Sequence, residues 1–464
     1  MLKLLTVTVG VLFMVSRNVI NTADLTWGVY KNDPTNKDSN YFQTQIDRIK
    51  QIMEEAFTGN YYKNWRTNIE DYIDSYKDRT SFMQTDDPRA RLEHPELVLS
   101  APAMIASNGY DCETHSVVSQ GHVLTIHRIP RPKKGGPTPN TTVILQHGLF
   151  DSSANFIING PEKSLGYVLA DAGYDVWISN TRGNRYSREH LKYKTNTKEF
   201  WNFSFDEIAR YDMPALIDYI LKIKGSDTKI GYIGHSMGTT IMFAMLSLRP
   251  EYNEKMSVGI ALAPTVFMSN MESPVKALNA GTSRAAHAAL WLRSYEVAPI
   301  DFLATVSKVC QTELASDFCK RLVFYITGED EEQWNKFRIL QFLANGGGTS
   351  WKNILHFAQL NLSGKFQQFD YESPERNRAV YNSDTPPDYD LKNVKLNTTL
   401  FWAKNDLMNS EKDVQKLHDT LPDTTTMYSV PFSKFNHGDY LWAYDAPRLV
   451  NDKVLEILGE ARNV

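Results

Sequence analysis

The chain has 464 residues, 42% hydrophobic and 22% charged, and 50 basic against 54 acidic side chains leave a net charge of −4. That composition allows a large packed core and excludes a disordered or low-complexity chain. It also gives no basic face for nucleic acid, because phosphate binding needs one. The first element is Lys3 followed by Leu4, Leu5, Val7, Val9, Val11, Leu12, Phe13, Met14 and Val15. A positive start and an apolar run of about a dozen residues have the form of a secretory signal peptide. Residues 1–23 are assigned to it, with cleavage expected within 16–24. The run is shorter than the roughly 20 residues a transmembrane helix needs, and no other stretch is long and apolar enough to span.

Residues 24–94 read as a helical extension. Phe42, Ile46, Ile49, Met53 and Ala56 fall at helical spacing, as do Trp65, Ile69, Tyr72 and Tyr76. The extension is expected to pack on the main body, a pro-segment or partner surface being the alternative. From Pro95 strands and helices alternate. Val117–Ile129 reads as a strand pair around Gln120-Gly121, and Thr142–Leu145 as a continuous apolar strand suited to a sheet covered on both faces. A helix over Gly166–Ala172 and a strand over Tyr174–Ile178 follow. Phe205–Ile223 reads as a helix, with a kink or restart at Asp212 and Pro214. Lys229–Ile233, Val258–Ala263, Thr398–Ala403 and Met427–Val430 read as strands, Thr239–Leu248 and Glu411–Leu421 as helices. Such alternation predicts a parallel, doubly wound α/β sheet. It stops between 266 and 393, a helical, aromatic-rich segment read as a cap or lid over the sheet's carboxyl edge. The core is thus 95–265 plus 394–464.

The chemistry centres on Gly234-His235-Ser236-Met237-Gly238, between a strand and a helix. This is the G-x-S-x-G nucleophile elbow in the context it requires. The turn is so tight that side chains at Gly234 and Gly238 would strike neighbouring backbone, and the serine hydroxyl is held exposed. Serine needs a base, and with this elbow the chain order is Ser, then Asp or Glu, then His. Of 11 histidines only His418 and His437 follow the cap. His418 lies in a polar helix pattern; His437 lies in a loop after a late strand and is the expected base. Asp406, after the strand Thr398–Ala403, is the expected acid, with Asp413 the second candidate. The oxyanion needs backbone N–H donors. Met237 supplies one and Leu149, in Gln146-His147-Gly148-Leu149, the other; His147 stands too early in the order to be the base. No metal or cofactor is implied.

Four Asn-x-Ser/Thr acceptors, Asn140, Asn202, Asn361 and Asn397, agree with export. The cysteines are Cys112, Cys310 and Cys319. The last two lie nine apart, able to close a small loop by disulfide in an oxidising compartment, with Cys112 left over.

Several stretches together resemble the animal acid lipase family, which includes gastric lipase and lysosomal acid lipase, and most closely its insect-type members. They are Gln146–Ser153, Asn159–Leu165, Asn180-Thr181-Arg182-Gly183-Asn184, Glu199–Ser204, Tyr232–Ser236, Arg249–Asn253, Gly348–Ser350, Thr385–Pro387, Asn436-His437 and Trp442–Pro447. The likeness runs from about Pro95 to the C-terminus. It implies the α/β-hydrolase fold, a mostly parallel central sheet with helices on both faces and a helical cap. It also implies hydrolysis of triglyceride or cholesteryl ester at a lipid–water interface, secretion or lysosomal targeting, Ser236, Asp406 and His437 as triad, and a Cys310–Cys319 bridge. The family usually has Gln at Met237, often Leu at Gly438, where glycine is expected to loosen the histidine loop, and Asp-Gly-Tyr where this chain has Gln120-Gly121-His122. Two rival readings are a carboxylesterase acting on soluble esters and a non-catalytic lipid-binding or storage protein on the same scaffold; the intact Ser, Asp, His order argues against the second.

Overall fold

The structure, a computed structural model, describes residues 99–462 apart from residue 312 and the side chains of 313 and 314. The expected signal segment and the 24–94 extension lie outside the described residues.

The chain opens with helix α1 (Ala101–Ser107) and an antiparallel hairpin of β1 (Glu113–Ser119) and β2 (His122–Ile129). Its two turn residues, Gln120 and Gly121, both have positive φ, 48° and 89°, as the tight hairpin turn that matches strand twist requires. Next come β3 (Thr142–Gln146), α2 (Leu165–Asp171), β4 (Asp175–Ile178) and the short β5 (Glu189–His190). After α3 (Met213–Lys224) follow β6 (Ile230–His235), α4 (Met237–Leu248) and β7 (Met256–Leu262). The sheet resumes much later, with strand Thr398–Trp402, helix Glu411–Thr420, strand Thr426–Ser429 and helix Asp452–Arg462.

Between β7 and that resumption lies the helical insertion. It holds α5 (Lys276–Trp291), β8 (Glu296–Val297), α6 (Ile300–Gln311), α7 (Glu313–Thr327), α8 (Lys336–Asn345), β9 (Thr349–Ser350), α9 (Trp351–Ser363) and α10 (Pro374–Tyr381). The late core elements are therefore β10 (Thr398–Trp402), α11 (Glu411–Thr420), β11 (Thr426–Ser429) and α12 (Asp452–Arg462). The antiparallel pairing of β8 with β9 was not legible in the sequence, since two-residue strands carry no alternation.

The sheet order is β1-β2-β4-β3-β6-β7-β10-β11, with β5 beside β2. The neighbours from β4 to β11 are parallel, and β1 and β2 pair antiparallel at one edge. In β3, Val143 and Leu145 face one core and Ile144 the other, all fully buried. Helices cover both faces: α3 and α4 bring Ile217, Ile241 and Phe243 to the Ile144 side, while α2 and α12 bring Leu169, Val454 and Leu458 to the other.

The break expected near Pro214 is present. One α-turn (Phe205–Glu207) passes into a wide π-turn (Ile208–Asp212) before α3 begins. Proline has no N–H to offer the carbonyl four residues back; that carbonyl, on Arg210, instead accepts from Arg249 Nη1 at 3.3 Å. A disulfide joins Cys310 of α6 to Cys319 of α7, and Cys112 is free. Among the described residues no helix is long and apolar enough to cross a membrane.

Candidate active site

Strand β6 ends and α4 begins at Ser236, whose φ of 52° and ψ of −120° are a conformation a side-chain-bearing residue adopts only under constraint. Its amide is tied to the Leu262 carbonyl of β7 at 3.0 Å. A Cβ on Gly234 would lie 2.7 Å from the Gly238 carbonyl carbon, and one on Gly238 2.3 Å from the Gln146 carbonyl oxygen. Buried Tyr232 donates its hydroxyl to the Gly238 carbonyl at 2.8 Å, pinning the turn from below.

His437 stands in the loop after β11, with Nε2 2.9 Å from Ser236 Oγ. Its Nδ1 lies 2.8 Å from Asp406 Oδ2 and 3.0 Å from Oδ1. Asp406 follows β10 and is buried; its Oδ1 accepts from the Met408 and Asn409 amides at 2.9 and 3.0 Å. Those two donors fix the carboxylate's rotation, and the carboxylate then requires a proton on His437 Nδ1. The bare Nε2 faces the serine hydroxyl. The structure thus brings together Ser236, His437 and Asp406, residues from three separate loops.

The second candidates go elsewhere. Asp413 is buried at the start of α11, where it accepts from Ser269 Oγ, from both nitrogens of Asn270 and from Ser410 Oγ. It joins the insertion's first turn to the core. His418 lies half-exposed on α11, beside Asp419. His147 is fully enclosed: Nδ1 donates to the Gly148 carbonyl at 2.8 Å, and Nε2 accepts from the Thr181 amide and Asn184 Nδ2, each at 3.1 Å. Burial lowers its pKa to about 4, so it stays neutral and braces the loop.

That loop carries Leu149. A Cβ on Gly148 would lie 3.1 Å from Ser236 Cβ, so only glycine lets the backbone come so near the serine. The Met237 amide is the first of α4 and has no partner within its own helix; the Met237 side chain is buried with Sδ 3.3 Å from Asn353 Nδ2 of α9. Behind the loop sits Asp151, which accepts from the Ser152 amide at 2.5 Å, from Asn155 and from the Gly148 amide. Burial holds its carboxyl well above the usual carboxylate range, against donors that favour the charged form.

Sequence reasoning missed three contributors. His235 is buried beneath the site and donates from Nε2 to the His437 carbonyl at 2.9 Å; burial, with His437 nearby, lowers its pKa to about 3. The run Gly346-Gly347-Gly348 lets the insertion press on the site loops: Gly347 donates to the Phe150 carbonyl at 3.1 Å, and a Cβ there would meet the Arg185 amide at 2.6 Å. That run was a readable signal of close backbone approach. The third contributor is the stretch that follows α7, whose links are backbone carbonyls without any sequence signature.

Two sequence expectations are corrected. Asn361 is unsuited to carry a glycan, since it is 5% exposed and its Nδ2 donates to the Met268 carbonyl at 2.5 Å. Asn140, Asn202 and Asn397 are exposed. Gly438 does not loosen the histidine loop: a Cβ there would lie 1.7 Å from Cζ2 of buried Trp442, so the glycine admits that ring. Among the described residues no group of three or more His, Cys, Asp or Glu side chains is placed to hold a metal ion.

Comparison with known proteins shows the family. The model of the alpha/beta hydrolase fold matches residues 141–443, and that of a partial alpha/beta-hydrolase lipase region matches 101–160. Lipase 3 of Drosophila melanogaster is 42% identical over 76% of this chain and 91% of that protein. Lipase 1 of the same species is 38% identical over 82% and 84%. The gastric triacylglycerol lipase of Bos taurus is 38% identical over 79% and 93%.

Proposed function

The chain belongs to the α/β-hydrolase family and is a lipid carboxylic-ester hydrolase, and from that premise we propose that Ser236, His437 and Asp406 are its catalytic triad. The observation that carries the assignment is the unbroken hydrogen-bond line from Asp406 through His437 to Ser236 Oγ, with links of 2.8 and 2.9 Å. His437 Nε2 takes the Ser236 proton as Oγ attacks the ester carbonyl carbon. The negative oxygen that forms is received by the Leu149 and Met237 amides. Imidazolium then protonates the departing alcohol, leaving an acyl group on Ser236. A water molecule, deprotonated by His437, releases the fatty acid and restores the serine. Asp406 keeps the imidazole in the required tautomer and stabilises its charged form.

The substrate in this reading is a triacylglycerol or a sterol ester met at a lipid–water interface. The gastric triacylglycerol lipase among the relatives supports the first. Support for an interface comes from the end of α5, where Leu290 is 44% and Trp291 83% exposed; tryptophan suits the boundary between water and an apolar phase. Residues 266–393 are the cover of an acyl site, and the chain is exported to the lysosome or the cell exterior through its N-terminal segment. The test is labelling by a fluorophosphonate, together with hydrolysis of an emulsified triacylglycerol and of a soluble short-chain ester. Label on Ser236 that disappears in Ser236→Ala, with faster turnover of the emulsion, is the expected result. Label retained in Ser236→Ala refutes the nucleophile.

A further inference from the structure

One short stretch of the helical insertion, Thr327-Gly328-Glu329, where α7 ends, bonds both the acid-bearing and the base-bearing loop. Three successive residues make four links. The Thr327 carbonyl accepts from the Leu407 amide at 3.2 Å and from the His437 amide at 3.4 Å. The Gly328 carbonyl accepts from Asn436 Nδ2 at 3.1 Å. The Glu329 carbonyl accepts from Asn405 Nδ2 at 2.9 Å, and the same nitrogen donates to the Lys434 carbonyl at 2.7 Å. Asn405 and Leu407 flank Asp406, and Asn436 precedes His437.

The physical logic is that of a helix end. The last carbonyls of a helix have no partner within it and must find donors elsewhere. Here the donors belong to the two loops whose spacing decides whether the triad lines up. The approach is close enough to demand glycine: Gly328 has φ 117°, and a Cβ there would lie 2.0 Å from the Asn405 carbonyl oxygen.

We propose that Thr327, Gly328 and Glu329 form a positioning clamp that sets the spacing between the Asp406 loop and the His437 loop, so that the insertion aligns the triad as well as covering it. The proposal rests on the triad assignment above. Any opening of the insertion must then hinge outside this stretch.

The experiment measures kcat and KM for the full chain on a soluble monomeric ester, with active sites counted by fluorophosphonate. Gly328→Ala sets a Cβ against the Asn405 carbonyl and pushes the insertion off the two loops, so it should lower kcat about tenfold with KM little changed, well short of the roughly hundredfold a 1 Å misplacement can cost. Asn405→Ala removes the Glu329 link at a half-buried residue, so it decides the matter even if Gly328→Ala does not fold; a severalfold loss of kcat at constant KM is expected. Unaltered kcat in these variants of a labelled, active protein overturns the clamp alone, as does a change confined to KM. A wild-type chain that takes no label overturns the triad and the clamp with it.

Discussion

Replacing Asp406 by asparagine tests the tautomer argument with almost no change of shape. Asp406 Oδ1 accepts from the amides of Met408 and Asn409, so the amide oxygen of the asparagine must stay there; the reverse rotamer would set NH2 against two N–H donors. The NH2 group therefore takes the place of Oδ2, 2.8 Å from His437 Nδ1. Nδ1 must then accept and the proton moves to Nε2, where it faces Ser236 and blocks the base. The same substitution in a serine protease triad costs about 10⁴ in kcat, equivalent to about 5.4 kcal/mol at 1.36 kcal/mol per decade. Asp413→Asn is the control. It disturbs a buried acceptor of Ser269, Asn270 and Ser410, so it should cost about 1–3 kcal/mol of stability and leave kcat largely intact. Active-site-titrated kinetics with thermal melts of both variants make the check. Greater loss of kcat in Asp413→Asn than in Asp406→Asn would refute the reasoning and move the acid's role to Asp413.

The parts of the molecule legible in the sequence are those whose constraints are local. Gly234 and Gly238 announce the elbow because the clashes they avoid arise within a few residues of Ser236 and against the adjoining strand. The buried strands announce themselves as runs such as Thr142–Leu145, and Pro214 announces a break because a missing N–H acts on its own helix. What stayed hidden depends on distant partners. His235 reads as the variable position of the elbow, and only the fold places the His437 carbonyl over its Nε2. Gly438 reads as a loosened loop until Trp442 is seen occupying the space of its missing side chain. Asn361 reads as a glycan acceptor because a three-residue pattern carries no information about burial. The Thr327–Glu329 carbonyls are the extreme case, since every residue has a carbonyl and only the end of α7 says which ones need partners.

Three further expectations follow from the packing. His356 is buried, stacked on Phe205 at 3.9 Å, and burial lowers its pKa to about 3. The unfolded chain therefore binds a proton that the folded chain refuses as pH falls from about 6.5 to about 3, and His356→Gln should reduce the slope of unfolding free energy against pH there by up to about 1.36 kcal/mol per unit; an unchanged slope in urea titrations refutes it. Gly438→Leu must displace the Trp442 ring, so a loss of about 1–3 kcal/mol and a fall in kcat are expected, and a wild-type melting curve would contradict the contact. The last expectation concerns the cysteines. The bridge closes a short loop between α6 and α7, with buried Cys310 packed on Leu340 of α8, while Ser307 one turn earlier bonds the Leu340 carbonyl at 2.9 Å. Removing it in Cys319→Ser frees the unfolded loop but leaves these contacts, so on the chain-entropy account about 2–3 kcal/mol is lost, and from the insertion first. Because α7 leads directly into Thr327, the loss should appear as lower kcat before the α/β core melts. Cys112 provides the internal control: burial pushes its thiol up to about 11, so iodoacetamide should alkylate it far more slowly in the folded protein than after denaturation. A mass map of the unreduced protein showing Cys112 bridged to either partner would overturn both the pairing and this order of events.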